Sequence, residues 1–247
     1  MPSNRKLVPS FLAVALAGGS MSAFADDYRG EVTLTGDRTN PDGNAPDVDT
    51  FTALGTYYLA PVRTDGLPLA EAAFLGRSSY VSAAAAHVDF GPDDADFYAA
   101  NIGYYMPNTI FFGRLGVARS EFTGGGDTNF NGTFGITPLD GLLLTTNFDE
   151  HGWDPNISAK YVGKMANSHF YSITASAVDP DQGDTDVGLA FDYYLDTTFS
   201  VGAGYGSAAD SWSLRAQKFF TKNFAVGGHL TTSDDGDGFG ASVTWHF

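Results

Sequence analysis

Phe239-Gly240-Ala241-Ser242-Val243-Thr244-Trp245-His246-Phe247 is the stretch whose reading decides the fold. Apolar side chains fall at 239, 241, 243, 245 and 247, with Gly, Ser, Thr and His between them. A period of two gives a strand whose two faces meet two different surroundings. A soluble sheet that ended on such an edge would template aggregation. A barrel in an outer membrane pairs its last strand with its first and leaves no edge open. Phe247 is accordingly expected to be the assembly signal read by the barrel-assembly machinery.

The same alternation recurs upstream. Tyr28/Gly30/Val32/Leu34 and Phe51/Ala53/Gly55/Tyr57/Leu59 are apolar or small on one face, with Arg29, Glu31, Thr33 and Thr52, Thr56 on the other. Tyr98 to Tyr104, Phe111 to Val117, Phe130 to Ile136, Leu142 to Phe148, Ile157 to Tyr161 and Tyr171 to Ala177 follow. Val187 to Leu195, Phe199 to Tyr205, Trp212 to Ala216 and Phe224 to Leu230 lead to the last strand. With a less regular segment from Phe74 to Ala86, the pattern predicts an all-β fold: a closed antiparallel up-and-down transmembrane β-barrel of about 14 strands. Twelve strands is the alternative if one pair is misread.

The amino terminus fits export. Arg5 and Lys6 precede an apolar run from Leu7 to Ala17, and Ala23-Phe24-Ala25 offers an A-x-A cleavage site. Residues 1–25 are therefore read as a signal peptide and 26–247 as the barrel, routed through the periplasm to the outer membrane of a Gram-negative cell. The apolar run is too short to span a bilayer, and no other stretch is longer. Losing Arg5 and Lys6, the charged residues of 1–25, moves the net charge from −16 to −18. That charge argues against nucleic-acid binding. There is no cysteine, which removes disulfides and thiolate metal sites. Thirty glycines, 14% aromatics and a mean hydropathy of −0.12 suit strands that average a lipid face with a watery one.

The connections read as two alternating sets. Gly36 to Val48, Asp89 to Asp96, Thr123 to Thr128, Asp149 to Pro155, Asp179 to Asp186 and Ser233 to Gly238 are long, acidic and glycine-rich, as outward-facing loops are. Pro107 to Thr109, Thr137 to Gly141, Met165 to Ser168, Asp196-Thr197 and Thr221 to Asn223 are tight. Paired aromatics at Tyr57-Tyr58, Tyr104-Tyr105, Tyr193-Tyr194 and Phe219-Phe220 precede several tight turns, a spacing expected of an interfacial girdle. One connection breaks the scheme: Pro61 to Ala73 should be a short turn, yet it is long and partly apolar.

Around that exception, Tyr57-Tyr58-Leu59-Ala60-Pro61-Val62, Pro68-Leu69-Ala70-Glu71-Ala72-Ala73-Phe74-Leu75 and Arg77-Ser78-Ser79 resemble the general porins of Gram-negative bacteria. The resemblance implies a small single-chain channel and carries no residue-level mechanism.

Strand parity places Arg29, Glu31, Arg77, Arg114, Lys160, Lys164, Asp192, Arg215 and His229 on the lumen face, where charge is tolerated. Facing lipid, an Arg or Lys would cost about 2–4 kcal/mol at the midplane. Bases outnumber acids in this set, so the lumen is expected to be weakly basic and to favour anionic or polar solutes. The competing reading is internal ion pairing, with Glu31 or Asp192 held by a neighbouring Arg, in a narrow or plugged lumen.

The expected function is a porin for passive diffusion of small hydrophilic solutes, surrounded by outer-membrane lipid and lipopolysaccharide. No loop looks long enough to constrict such a lumen deeply. The alternatives are a non-conducting structural or adhesive barrel acting through its acidic loops, or an outer-membrane enzyme. The histidines, His87, His151, His169, His229 and His246, form neither a HExxH motif nor part of a G-x-S-x-G elbow, so no catalytic residue is assigned. The acidic runs Asp179 to Asp186 and Asp234 to Asp237 do not match an EF-hand loop, so neither a metal nor a cofactor is expected.

Overall fold

The computed structural model describes residues 27–43, 45–150, 152–166, 169–178 and 185–247. The segment 1–25 read as a signal peptide, His151 and the acidic run 179–184 lie outside the described residues. Fourteen strands close into one antiparallel barrel in which each strand pairs with its sequence neighbours. They are β1 (Tyr28–Pro41), β2 (Val48–Val62), β3 (Tyr80–Asp89), β4 (Asp94–Tyr105), β5 (Phe111–Phe122), β6 (Gly125–Ile136) and β7 (Leu142–Asp149). The second half is β8 (Gly152–Lys164), β9 (Phe170–Val178), β10 (Asp186–Asp196), β11 (Phe199–Gly206), β12 (Ser211–Thr221), β13 (Phe224–Ser233) and β14 (Gly236–His246). The seam is the β1–β14 ladder, running from Glu31 opposite His246 to Pro41 opposite Gly236.

Because directly opposed residues share a face, the register fixes what each side of the wall sees. Ile102, Leu115, Phe130, Ile157, Leu189, Leu214, Leu230 and Val243 all point outward and are exposed. Among the described residues the outer band is apolar over the middle of every strand, as a wall bathed in lipid must be. Leu115 lies at mid-strand, opposite Ile102 and Gly132, and is 62% exposed. Leu115→Arg should lower the unfolding free energy in lipid vesicles by about 2–4 kcal/mol. An unchanged denaturation midpoint there would be incompatible with a lipid-facing site.

The strands run well past that band. β1 has 14 residues and β2 has 15, against the 9–11 or so that a tilted strand needs to cross a membrane. Among the described residues, the stretches expected to be long acidic loops are largely paired strand instead. β5 and β6 pair as far as Phe122 with Gly125, and β13 and β14 as far as Ser233 with Gly236. Backbone pairing does not require apolar side chains, so Asp- and Gly-rich sequence can continue a ladder into water. These extensions carry exposed ion pairs: Arg38 with Asp49 (2.5 Å), His87 with Asp96 (2.9 Å) and Arg119 with Glu121 (2.7 Å). The two hydrogen bonds that Arg38 donates hold the Asp49 carboxyl below its ordinary range.

The segment from Phe74 to Ala86 is also corrected. Strand β3 begins only at Tyr80, and Ala72–Leu75 is a single helical turn, α1, preceded by a 3-10 turn at Leu69–Glu71. Both belong to the connection between β2 and β3, and that connection enters the barrel.

Candidate functional site

Residues 63–79 lie across the lumen at the end bearing Tyr28 and His246. Three buried apolar clusters fix this segment to three sectors of the wall. Ala72 packs with Tyr28, Tyr58 and Val62 of β1 and β2; Leu69 packs with Phe219 and Ala225 of β12 and β13. Leu67, Phe74 and Leu75 lie against Val162, Phe170 and Tyr194 of β8, β9 and β10. The Leu69 amide also donates to the Thr197 carbonyl at 2.8 Å. A structure anchored on such widely separated strands is a plug. It corrects the expectation that no loop constricts the lumen, because the constricting segment comes from the side where short turns were expected.

The paired aromatics explain how the wall receives it. Neighbouring residues on a strand point to opposite faces, so one member of each pair cannot join an outer girdle. Tyr57, Tyr104 and Phe220 are exposed outward, whereas Tyr58, Tyr194 and Phe219 are buried against the plug and Tyr105 packs on Phe112 inside.

Glu71 is the polar centre of the plug and is buried. Tyr194 donates to its Oε1 at 2.6 Å, and the Lys160 ammonium lies 2.7 Å from its Oε2. A buried carboxylate is tolerable only when paired and hydrogen-bonded in this way. On one side of Glu71 is a cavity of about 550 Å³ lined by residues including Glu31, Tyr58, Tyr80, Arg114 and Lys160. On the other is a cavity of about 520 Å³ that includes Asp192, Arg215, His229, Ser213 and Ser242.

Six of the nine residues singled out by parity thus stand at these cavities, and ion pairs occupy several of them. Arg215 donates to Asp192 through two nitrogens, at 2.6 and 2.8 Å, and Ser172 adds a third bond to the same carboxylate. His229 approaches Asp37 at 3.2 Å. Glu31 accepts a long bond from Tyr58 and faces His246 at 3.3 Å. The other three stand elsewhere. A bulge between Tyr28 and Gly30 breaks the alternation, so Tyr28 turns inward and Arg29 is left exposed. Arg77 is not on a strand; it follows α1 and reaches Asp140 at 3.3 Å. Lys164 ends β8 at the rim, its ammonium 5.4 Å from the centre of the Phe170 ring.

Sequence reasoning passed over Glu71, Asp37, Tyr194 and His246. Glu71 is on no strand and has no parity to read. His246 could have been found, since it alternates with Trp245 and must face inward; its ring stacks on Tyr28 at 3.9 Å. Among the described residues, no group of three or more His, Asp or Glu side chains is placed to hold a metal ion.

A closed fourteen-strand sheet with an apolar outside and a polar, ion-paired inside is an outer-membrane barrel of porin architecture. The sequence matches the family described as "Putative general bacterial porin" over residues 4–149 and 127–245, and the chain belongs to that family. The outer membrane protein Omp33 of Acinetobacter baumannii has a similar structure, with 23% identity, a TM-score of 0.73, and coverage of 90% of this chain and 99% of that one. A bacterial polysaccharide outer membrane secretin is similar at 10% identity, a TM-score of 0.50, and 89% and 99% coverage. At these identities the likeness concerns the fold. No curated protein matches the sequence. The family and the barrel are those of an outer-membrane channel.

Proposed function

We propose that the protein is a passive channel for small hydrophilic solutes, narrowed at its periplasmic end by the 63–79 plug. The observation that carries this reading is the pair of polar cavities flanking Glu71, enclosed by a wall whose outer face is apolar. The lumen field is weaker than the expected basic excess. Glu71 and Asp37 add acids that parity did not count, while Arg29, Arg77 and Lys164 stand at the rim. We further propose export by the 1–25 signal, insertion through Phe247, and a ring of lipopolysaccharide around the charged strand extensions.

Single-channel recording on refolded protein tests the channel. The reading expects small steps of current in KCl; a silent bilayer at all voltages overturns it. The plug and the internal ion pairs favour the second reading, a non-conducting barrel acting through its acidic outer loops, and silence would select it. Asp192→Asn gives a finer test of the lumen field. It frees the Arg215 guanidinium at 36% exposure, and should shift the reversal potential under a KCl gradient toward anions. No shift would mean that the pair lies off the ion path.

A further inference from the structure

The three anchors hold the plug against β1 and β2, against β8 to β10, and against β12 and β13. Among the described residues, no buried apolar cluster fixes it to the arc from β4 to β7. The cavity of about 550 Å³ occupies that arc, bounded by Ser78 of the plug and by Tyr105, Phe112 and Leu143 of the wall.

A gap in the rim lies on the same side. β3 begins only at Tyr80, opposite Tyr58 of β2 and Gly103 of β4, while those two strands run on to Val62 and Tyr105. The end of the plug, Gly76 to Ser79, takes the missing place. The Leu59 amide donates to the Ser79 carbonyl at 2.8 Å, and the Tyr105 amide donates to the Ser79 hydroxyl at 2.9 Å. Beside this arm is a further cavity of about 410 Å³, which reaches the turn from Pro107 to Thr109 and so opens at the plugged end. Ser78 and Tyr105 line both this outlet and the 550 Å³ cavity, and both residues are partly exposed. Among the described residues, none that lines the 520 Å³ cavity also lines the outlet. On that side Leu69, buried with Phe219 and Ala225, closes the floor.

Resting on the channel reading, we propose that solutes pass the plug at one place, the neck between Ser78 and Tyr105, and that these two side chains set the largest solute admitted. Neither is charged, and at the outlet Arg77 is offset by Asp140 at 3.3 Å, so the neck sorts by size more than by charge. The two hydrogen bonds to Ser79 tie the arm to β2 and to β4, which keeps the neck at one width while the plug is seated.

The chain has no cysteine, so a single introduced thiol is unique. Ser78→Cys places it at the neck, and Ser200→Cys places it across the plug, in the 520 Å³ cavity and opposite Tyr194. Each full barrel is recorded in a planar bilayer and treated with a trimethylammonium methanethiosulfonate, with the adduct followed by mass. Current through Ser78→Cys should fall by about half or more as the adduct fills the neck, and a reducing agent should restore it. Ser200→Cys should keep its current. Tyr105→Ala is the independent variant should Ser78→Cys fail to refold; it widens the neck and should raise single-channel conductance by about half. A Ser78→Cys thiol that takes no adduct, an adduct there that leaves the current intact, an equal fall in Ser200→Cys, or parental conductance in Tyr105→Ala overturns the neck while the channel stands. A parent barrel that passes no current ends the channel reading, and the neck as a solute route with it.

Discussion

A Glu71→Ala barrel should open far more often than the parent, by roughly thirtyfold. Removing one partner of a buried, hydrogen-bonded charge pair costs about 3–5 kcal/mol. Lys160 is about one-third exposed and can turn toward water, so about 2 kcal/mol is the reasonable share, and each 1.4 kcal/mol is tenfold in an equilibrium. The loss falls on the seated state of the plug, because Glu71 holds that state through Lys160 on β8 and Tyr194 on β10. The wall ladders are untouched. Tyr194→Phe removes only the 2.6 Å bond and should produce the same change at about one-fifth of the size. Open probability in planar bilayers is the measurement, and equal values for parent and Glu71→Ala would show that the plug is not held by this carboxylate.

The second large effect is expected at the seam. The Phe247 ring lies flat over Gly30, where a Cβ would stand 2.2 Å from a ring carbon. The amides of Arg29 and Gly30 both donate to the Phe247 carbonyl oxygen, at 2.8 and 2.7 Å, and the Phe247 amide donates back to Gly30 at 2.9 Å. Gly30→Leu must expel the ring from the last contact of the closing ladder. Losing a partly buried Phe contact costs about 2 kcal/mol, below the range for full truncation in a core. The folded, heat-resistant fraction on a gel should fall several-fold. Phe247→Ala should match it, and the double variant should be little worse than either, since both remove one contact. Strictly additive losses would place the two residues in separate roles.

The fold was legible because alternation depends on adjacent side chains pointing to opposite faces, and every strand core obeys it. What was not legible followed from places where that rule stops. The bulge at Tyr28 and Gly30 exchanged the faces of Tyr28 and Arg29. Asp- and Gly-rich stretches gave no apolar signal, although their backbones continued to pair from Gly36 to Pro41. The aromatic pairs marked the correct height but hid that Tyr58, Tyr194 and Phe219 face inward, which identifies the socket of the plug. The apolar content of Pro61 to Ala73 was the visible trace of that plug, since a segment bathed in water gains nothing from Leu67, Leu69 and Ala72. The ion pair of Asp192 with Arg215 was open to reasoning, as Phe191 and Leu214 fix their faces.

The three anchor points have a mechanical consequence. A fourteen-strand hoop with an empty centre flattens easily under uneven lateral pressure from the surrounding bilayer, since its ladders resist stretching far better than they resist bending. Residues 63–79 act as a spoke fastened to distant parts of the rim, so the cross-section cannot become oval while the spoke is seated. Tension in the membrane should therefore bear on the contacts of Leu69, Ala72 and Phe74 with the wall, and a barrel without the spoke should be a softer one.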